Sequence, residues 1–162
     1  MNDAVIAYDY LKQQVGDQVK IGVLGSSFGS YTAVLLSELR LISCLSLRVP
    51  ANYPDEAFDK PQLAQKYESQ DFVEWRKKKL THTQNRALAA LHSFEGKVQI
   101  IEAGADEMVA HQVIENYINA ARDKQQLDYS VMKDAPHSLV NEQLKQEYVA
   151  LLTRWTEQFL DA

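Results

Sequence analysis

Apolar positions along this 162-residue chain switch between two periods. From 3 to 15 they recur at helical spacing. Ala4, Ala7 and Leu11, then Val5, Tyr8 and Val15, lie along one side, with Asn2 or Asp3 as cap and Gly16 as terminator. The β-branched run Val19, Ile21, Val23 and Leu24 predicts a buried strand over 19–24, and Tyr31, Val34, Leu35 and Leu39 predict a helix over 28–39. The alternation continues as strand 42–49, an irregular and helical stretch 50–94, strand 97–102, helix 109–123, strand 126–132 and helix 140–160. Strands separated by helices imply a three-layer α/β sandwich with a mostly parallel sheet. The 50–94 stretch is too long for a simple connection, so it is expected to be an insertion within a single domain spanning 1–162.

The first strand ends in Gly25-Ser26-Ser27-Phe28-Gly29, and the helical pattern takes over without a loop. A serine at the apex of so sharp a turn sits in a strained backbone, and glycines on either side remove clashes with whatever packs nearby. The spacing selects Ser27 as a nucleophile rather than Ser26 or Ser30, and the helix start is favourable to a developing anion. The plainer reading is that Ser26 or Ser27 only caps the helix.

A serine hydroxyl needs a base, and the base needs a group that holds its tautomer. Of the four histidines, His137 follows the strand-like run Leu127, Tyr129, Val131 and precedes a helix. That places it at the carboxyl edge of the sheet, where ligands collect in open α/β sheets. His92 falls on a helix flank and His82 in a polar turn that reads as solvent-exposed, while His111 opens a helix near the acid and competes with His137. Asp106 leaves the preceding strand two residues past Gly104, within reach of an imidazole. Glu107 is the alternative carboxylate, and Glu102 reads as part of the strand.

These segments together resemble the carboxyl-terminal part of an α/β-hydrolase, nearest the dienelactone-hydrolase-like and acyl-peptidase-like serine esterases. Gly25-Ser-Ser-Phe-Gly29 matches the nucleophile elbow, Gly-Ala-Asp106-Glu-Met-Val109 resembles the acid loop, and Ala-Pro-His137-Ser-Leu139 resembles the histidine loop. Ser30 stands where the family often has a second glycine. The resemblance implies a truncated α/β-hydrolase fold that lacks the strands before the elbow strand, together with their oxyanion-hole donor. It also implies a Ser27-His137-Asp106 triad cleaving an ester-type bond through an acyl-enzyme, with the Phe28 N–H in the oxyanion hole and no cofactor. The 50–94 segment would form part of a cap, with Arg48 and Tyr53 as candidates for the substrate site and Trp75 reading rather as a core residue on a helix face. A non-catalytic remnant acting as a binding module and the catalytic portion of a serine exopeptidase are the alternatives. An elbow strand left at the sheet edge predicts a homodimer.

Composition narrows the partners. A net charge of −5 argues against nonspecific nucleic-acid binding, and Lys77-Lys-Lys79 reads as a solvated helix end. One cysteine, Cys44 in an apolar strand, allows no internal disulfide and reads as a small buried residue. The Met-Asn-Asp-Ala start has no basic region followed by an apolar one, and no run is long enough to span a membrane, which predicts a cytoplasmic location. No metal-ligand cluster stands out.

Overall fold

The computed structural model describes residues 1–58 and 69–160. The elements are helix α1 (Asn2–Val15), strand β1 (Gly22–Ser26), α2 (Phe28–Leu36), β2 (Cys44–Arg48), a short 3₁₀ turn (Asp55–Ala57), α3 (Gln70–Arg76), α4 (Arg86–Ser93), β3 (Lys97–Ala103), α5 (His111–Ala120), β4 (Leu127–Met132) and α6 (Glu142–Leu160). The four strands form one parallel sheet in the order β1-β2-β3-β4. This is the expected α/β layering, with the elbow strand at an edge of the described sheet.

Alternating strand residues feed two apolar layers. Leu45, Leu47, Val98 and Ile100 join α2, α4 and α5 residues such as Val34, Leu88 and Ile114 in the larger core. Val49, Ile101, Ala103 and Met132 face Leu144, Tyr148 and Leu151 of α6. A polar link crosses the second layer: the buried Ser46 hydroxyl donates to Gln99 Oε1 at 2.9 Å, and Gln99 Nε2 donates to the Leu151 carbonyl at 3.3 Å.

Several local expectations are corrected by packing. α1 begins after Met1 with no side-chain cap, so neither Asn2 nor Asp3 caps it. It buries only Tyr8, whose hydroxyl donates to the Leu41 carbonyl, and leaves Ile6, Tyr10 and Leu11 exposed. Gly16 ends it at φ 82° and ψ 170°, a positive-φ conformation that glycine adopts without strain. β1 starts at Gly22 because its sole described neighbour starts pairing at Cys44. The strand expected to be buried therefore exposes Leu24 (53%), on a face no described element covers. Cys44 is half-buried. His82 is half-buried rather than exposed, with its ring stacked on His92 at 3.8 Å. Part of the expected cap, 59–68, lies outside the described residues. Among the described residues no helix is long and apolar enough to cross a membrane.

Candidate active site

Among the described residues three non-glycines hold positive φ: Ser27 (54°), Val49 (42°) and Asp134 (60°). Each directly follows or lies close behind a strand end at the carboxyl edge of the sheet, and such strain gathers where a fold over-determines its backbone. Ser27 joins β1 to α2 with ψ −118°, its N–H donating to the Arg48 carbonyl at 2.9 Å. The turn is possible because position 25 is glycine: a Cβ there would lie 2.5 Å from Ser30 Cα and 2.6 Å from the Gly29 carbonyl carbon. Gly29 was expected to relieve a similar clash, yet a Cβ at that position meets nothing within 4 Å. Ser30 is fully buried, and its hydroxyl donates to the same Arg48 carbonyl at 3.1 Å.

The structure brings Ser27, His137 and Asp106 into one hydrogen-bonded line. Ser27 Oγ lies 3.1 Å from His137 Nε2, and His137 Nδ1 lies 2.8 Å and 3.1 Å from the two Asp106 oxygens. The imidazole side chain is 10% exposed and the carboxylate 5%. An ionised Asp106 only accepts, so its partners assign the proton to Nδ1 and leave the Nε2 lone pair toward the serine. Asp106 Oδ1 also accepts the N–H groups of Met108 (2.7 Å) and Val109 (2.8 Å), which fixes its rotamer. The acid and histidine loops are stitched together by Ala105 N–H to the Ala135 carbonyl at 2.9 Å and Gly104 N–H to the Met132 carbonyl at 2.9 Å.

The other candidates go elsewhere. Glu107 Oε2 accepts from the backbone N–H of His137 at 3.3 Å and leaves the imidazole to Asp106. His111 Nδ1 pairs with Glu102 Oε1 at 2.6 Å, and Tyr129 donates to the other Glu102 oxygen. The hydrogen bond to Glu102 raises His111 above the usual histidine value, and burial pushes the Tyr129 phenol up. Arg48, expected near substrate, is 8% exposed and donates through Nη1 to the His137 carbonyl at 2.9 Å. No sequence pattern announces the Glu107 and Arg48 contacts, because both are made to backbone atoms.

Beside Ser27 runs a chain of rings. Phe28, 38% exposed, meets Tyr53 edge-on at 5.6 Å; Tyr53 stacks with Phe72 at 5.9 Å, and Phe72 with Trp75 at 6.2 Å. Arg76 lies over Phe72 and donates to the Met108 carbonyl at 3.0 Å, tying α3 to the acid loop. Phe28 is the first residue of α2, so its N–H has no acceptor within the helix. Among the described residues no group of three or more His, Cys, Asp or Glu is arranged to hold a metal ion.

Comparison with known proteins gives a consistent picture. The sequence model of the prolyl oligopeptidase family matches residues 1–162. No curated protein sequence matches the chain. Among solved structures it is similar to the Pyrococcus furiosus esterase Pf2001 (19% identity, TM-score 0.67), covering 96% of this chain and 60% of that one. It is similar to a Paleococcus ferrophilus monoacylglycerol lipase (14% identity, TM-score 0.65), covering 95% of this chain and 74% of the lipase. It is also similar to Est1E from Butyrivibrio proteoclasticus, solved with ferulic acid bound (17% identity, TM-score 0.68), covering 98% and 67%. The chain thus spans 60% of the length of the Pyrococcus esterase. At these identities the likeness shows the fold.

Proposed function

From a chain that belongs to the prolyl oligopeptidase family, within the α/β-hydrolases, we propose a serine hydrolase that cleaves an ester-type bond through Ser27, His137 and Asp106. The observation that carries this reading is the unbroken line from Ser27 Oγ to His137 at 3.1 Å and on to Asp106 at 2.8 Å. In the proposed cycle Ser27 Oγ attacks the carbonyl carbon while its proton passes to His137 Nε2. The Phe28 N–H receives the oxyanion, and Asp106 stabilises the imidazolium. The intermediate collapses by expelling the alkoxide, which takes the proton from His137. Water then gives a proton to His137 and attacks the acyl-enzyme, releasing the acid and restoring Ser27.

The half-exposed Phe28, with Tyr53 and Phe72 behind it, favours an apolar or aromatic acyl group, in keeping with the ferulic acid bound to Est1E. Tyr53, expected beside the substrate, is 5% exposed within the larger core and in this reading backs Phe28 from behind. The Phe28 N–H, at the first position of α2, is the oxyanion donor this reading names, and loss of one such donor costs about 2.7–4 kcal/mol of transition-state stabilisation. The second reading is a hydrolase-like binding module that keeps the same three residues. We place the protein in the cytoplasm, and its β1 edge, unpaired among the described residues and with Leu24 exposed, supports self-association as a homodimer.

A fluorophosphonate probe with mass-spectrometric mapping tests the assignment. Labelling at Ser27 that is lost in Ser27→Ala and in heat-unfolded protein is the expected result. No labelling, or labelling no faster than in unfolded protein, leaves the binding-module reading.

A further inference from the structure

The hydrogen bond between Ser27 and His137 joins residues 110 positions apart, and no covalent segment between them sets its length. One residue touches both. The backbone carbonyl of Arg48, at the end of β2, receives the Ser27 N–H (2.9 Å) and the Ser30 hydroxyl (3.1 Å), which anchors the elbow. Its guanidinium extends over the end of β3 to the loop after β4, where Nη1 donates to the His137 carbonyl at 2.9 Å. The opposite side of His137 is held as well, since its N–H donates to Glu107 Oε2 at 3.3 Å.

We infer that Arg48 is a positioning residue for the proposed base, a strut that sets the distance between Ser27 and His137, with Glu107 closing the grip on the His137 backbone. The inference rests on the serine-hydrolase reading for its kinetic consequences. Three features support it. A charged donor to a carbonyl is stronger than a neutral one, so this bond can hold a loop in place. Arg48 is 8% exposed, and burying a guanidinium is costly unless its bonds are needed. Burial lowers the Arg48 pKa and the Asp106 charge opposes that, and Tyr148 of α6 lies 5.9 Å from the guanidinium as a ring that restricts where it can point. Val49 then turns the chain away at φ 42°, immediately after Arg48, and its own N–H is tied to the Ile101 carbonyl at 2.8 Å. The end of β2 is thus locked in backbone and side chain together.

The test compares wild type with Arg48→Met, Arg48→Lys and Glu107→Ala, using hydrolysis of p-nitrophenyl acetate and the proton NMR signal of His137 Nδ1–H. Misplacement of a catalytic group by about 1 Å costs on the order of a hundredfold. Arg48→Met is therefore expected to lower kcat by about ten- to a hundredfold, with KM within about twofold. Arg48→Lys should recover much of the loss, because an ammonium still donates to one carbonyl. The low-field Nδ1–H signal should broaden in Arg48→Met, broaden less in Glu107→Ala and persist in Arg48→Lys. A rise in KM with kcat unchanged would overturn the inference and return Arg48 to substrate contact. An unchanged kcat and an unchanged signal would overturn it too. If Arg48→Met does not fold, Arg48→Lys and Glu107→Ala decide: a signal and kcat identical to wild type in Glu107→Ala, with Arg48→Lys no better than an inactive protein, refutes the grip. If the wild type shows no turnover, the hydrolase reading fails by itself, and the Nδ1–H signal alone decides whether Arg48 holds His137.

Discussion

Replacing each elbow glycine separately by alanine distinguishes a sequence motif from the contacts that require it. At Gly25 the added Cβ would sit 2.5 Å from Ser30 Cα and 2.6 Å from both the carbon and the oxygen of the Gly29 carbonyl. Carbon atoms pack at about 3.5 Å, so the end of β1 and the first turn of α2 must separate by roughly 1 Å. The opposing atoms are backbone, and they are tied in place by the bonds from Ser27 N–H and Ser30 Oγ to the Arg48 carbonyl. Overpacking costs about 1–3 kcal/mol, and an opponent that cannot rotate away puts Gly25→Ala near the upper end. In a chain of this size each kcal/mol moves Tm by about 2–4 °C, so a fall of roughly 6–12 °C is expected. Because the turn that must open carries Ser27 itself, fluorophosphonate labelling should slow by about a hundredfold. Gly29→Ala is expected to behave oppositely. Its Cβ meets nothing within 4 Å, and the position is the second residue of α2. Alanine there reduces unfolded-chain freedom and should stabilise by about 0.4–1 kcal/mol, with labelling close to wild type. Thermal melts and labelling rates of the two variants are the assay. Equal destabilisation at both positions, or a harmless Gly25→Ala, would refute the contact argument.

Asp106→Asn should lower kcat by about 10⁴ because the amide favours the wrong imidazole tautomer, whereas Glu107→Gln keeps an oxygen for the His137 N–H and should stay near wild type; steady-state esterase kinetics check both, and the reverse ranking makes Glu107 the acid. Light scattering at low micromolar protein should find wild type at twice the 18.4 kDa chain mass and Leu24→Lys at the chain mass, since a lysine guards an open strand edge; a monodisperse wild-type monomer ends the dimer proposal. His111 is raised chiefly by its hydrogen bond to Glu102, against its own desolvation, with the charges of Glu102 and Glu115 adding. The folded protein therefore holds that proton more tightly, so the contribution is full below about pH 6.5 and vanishes as pH rises through the folded pKa. With the side chain 63% exposed the effect stays below about 1 kcal/mol. Melts of wild type and His111→Gln should diverge at about pH 6 and converge at about pH 9, and parallel curves would show that the pair carries no pH-linked stability.

What the sequence by itself determined is what local periodicity can encode. The switch from period two to helical spacing on either side of Gly25-Ser26-Ser27-Phe28-Gly29 marks a strand, a sharp turn and a helix within a dozen residues. The same alternation places Asp106 and His137 just beyond strand ends. Parallel strands share one carboxyl edge, so those positions converge without any knowledge of side chains. The tertiary structure decided everything that depends on register between distant segments. It turned Asp106 to the imidazole and Glu107 to the backbone N–H one residue away, although the two are adjacent and alike in charge. It sent Arg48 to the His137 carbonyl rather than to the solvent-facing edge, and gave His111 to Glu102. It made Gly25 indispensable and Gly29 free, because α2 closes over one and nothing described lies beside the other. It also shortened β1 to the residues β2 can pair and exposed Leu24. The chain's own pattern carries which residues can do chemistry, whereas which atom each one reaches is set by hydrogen bonds between segments up to 110 residues apart.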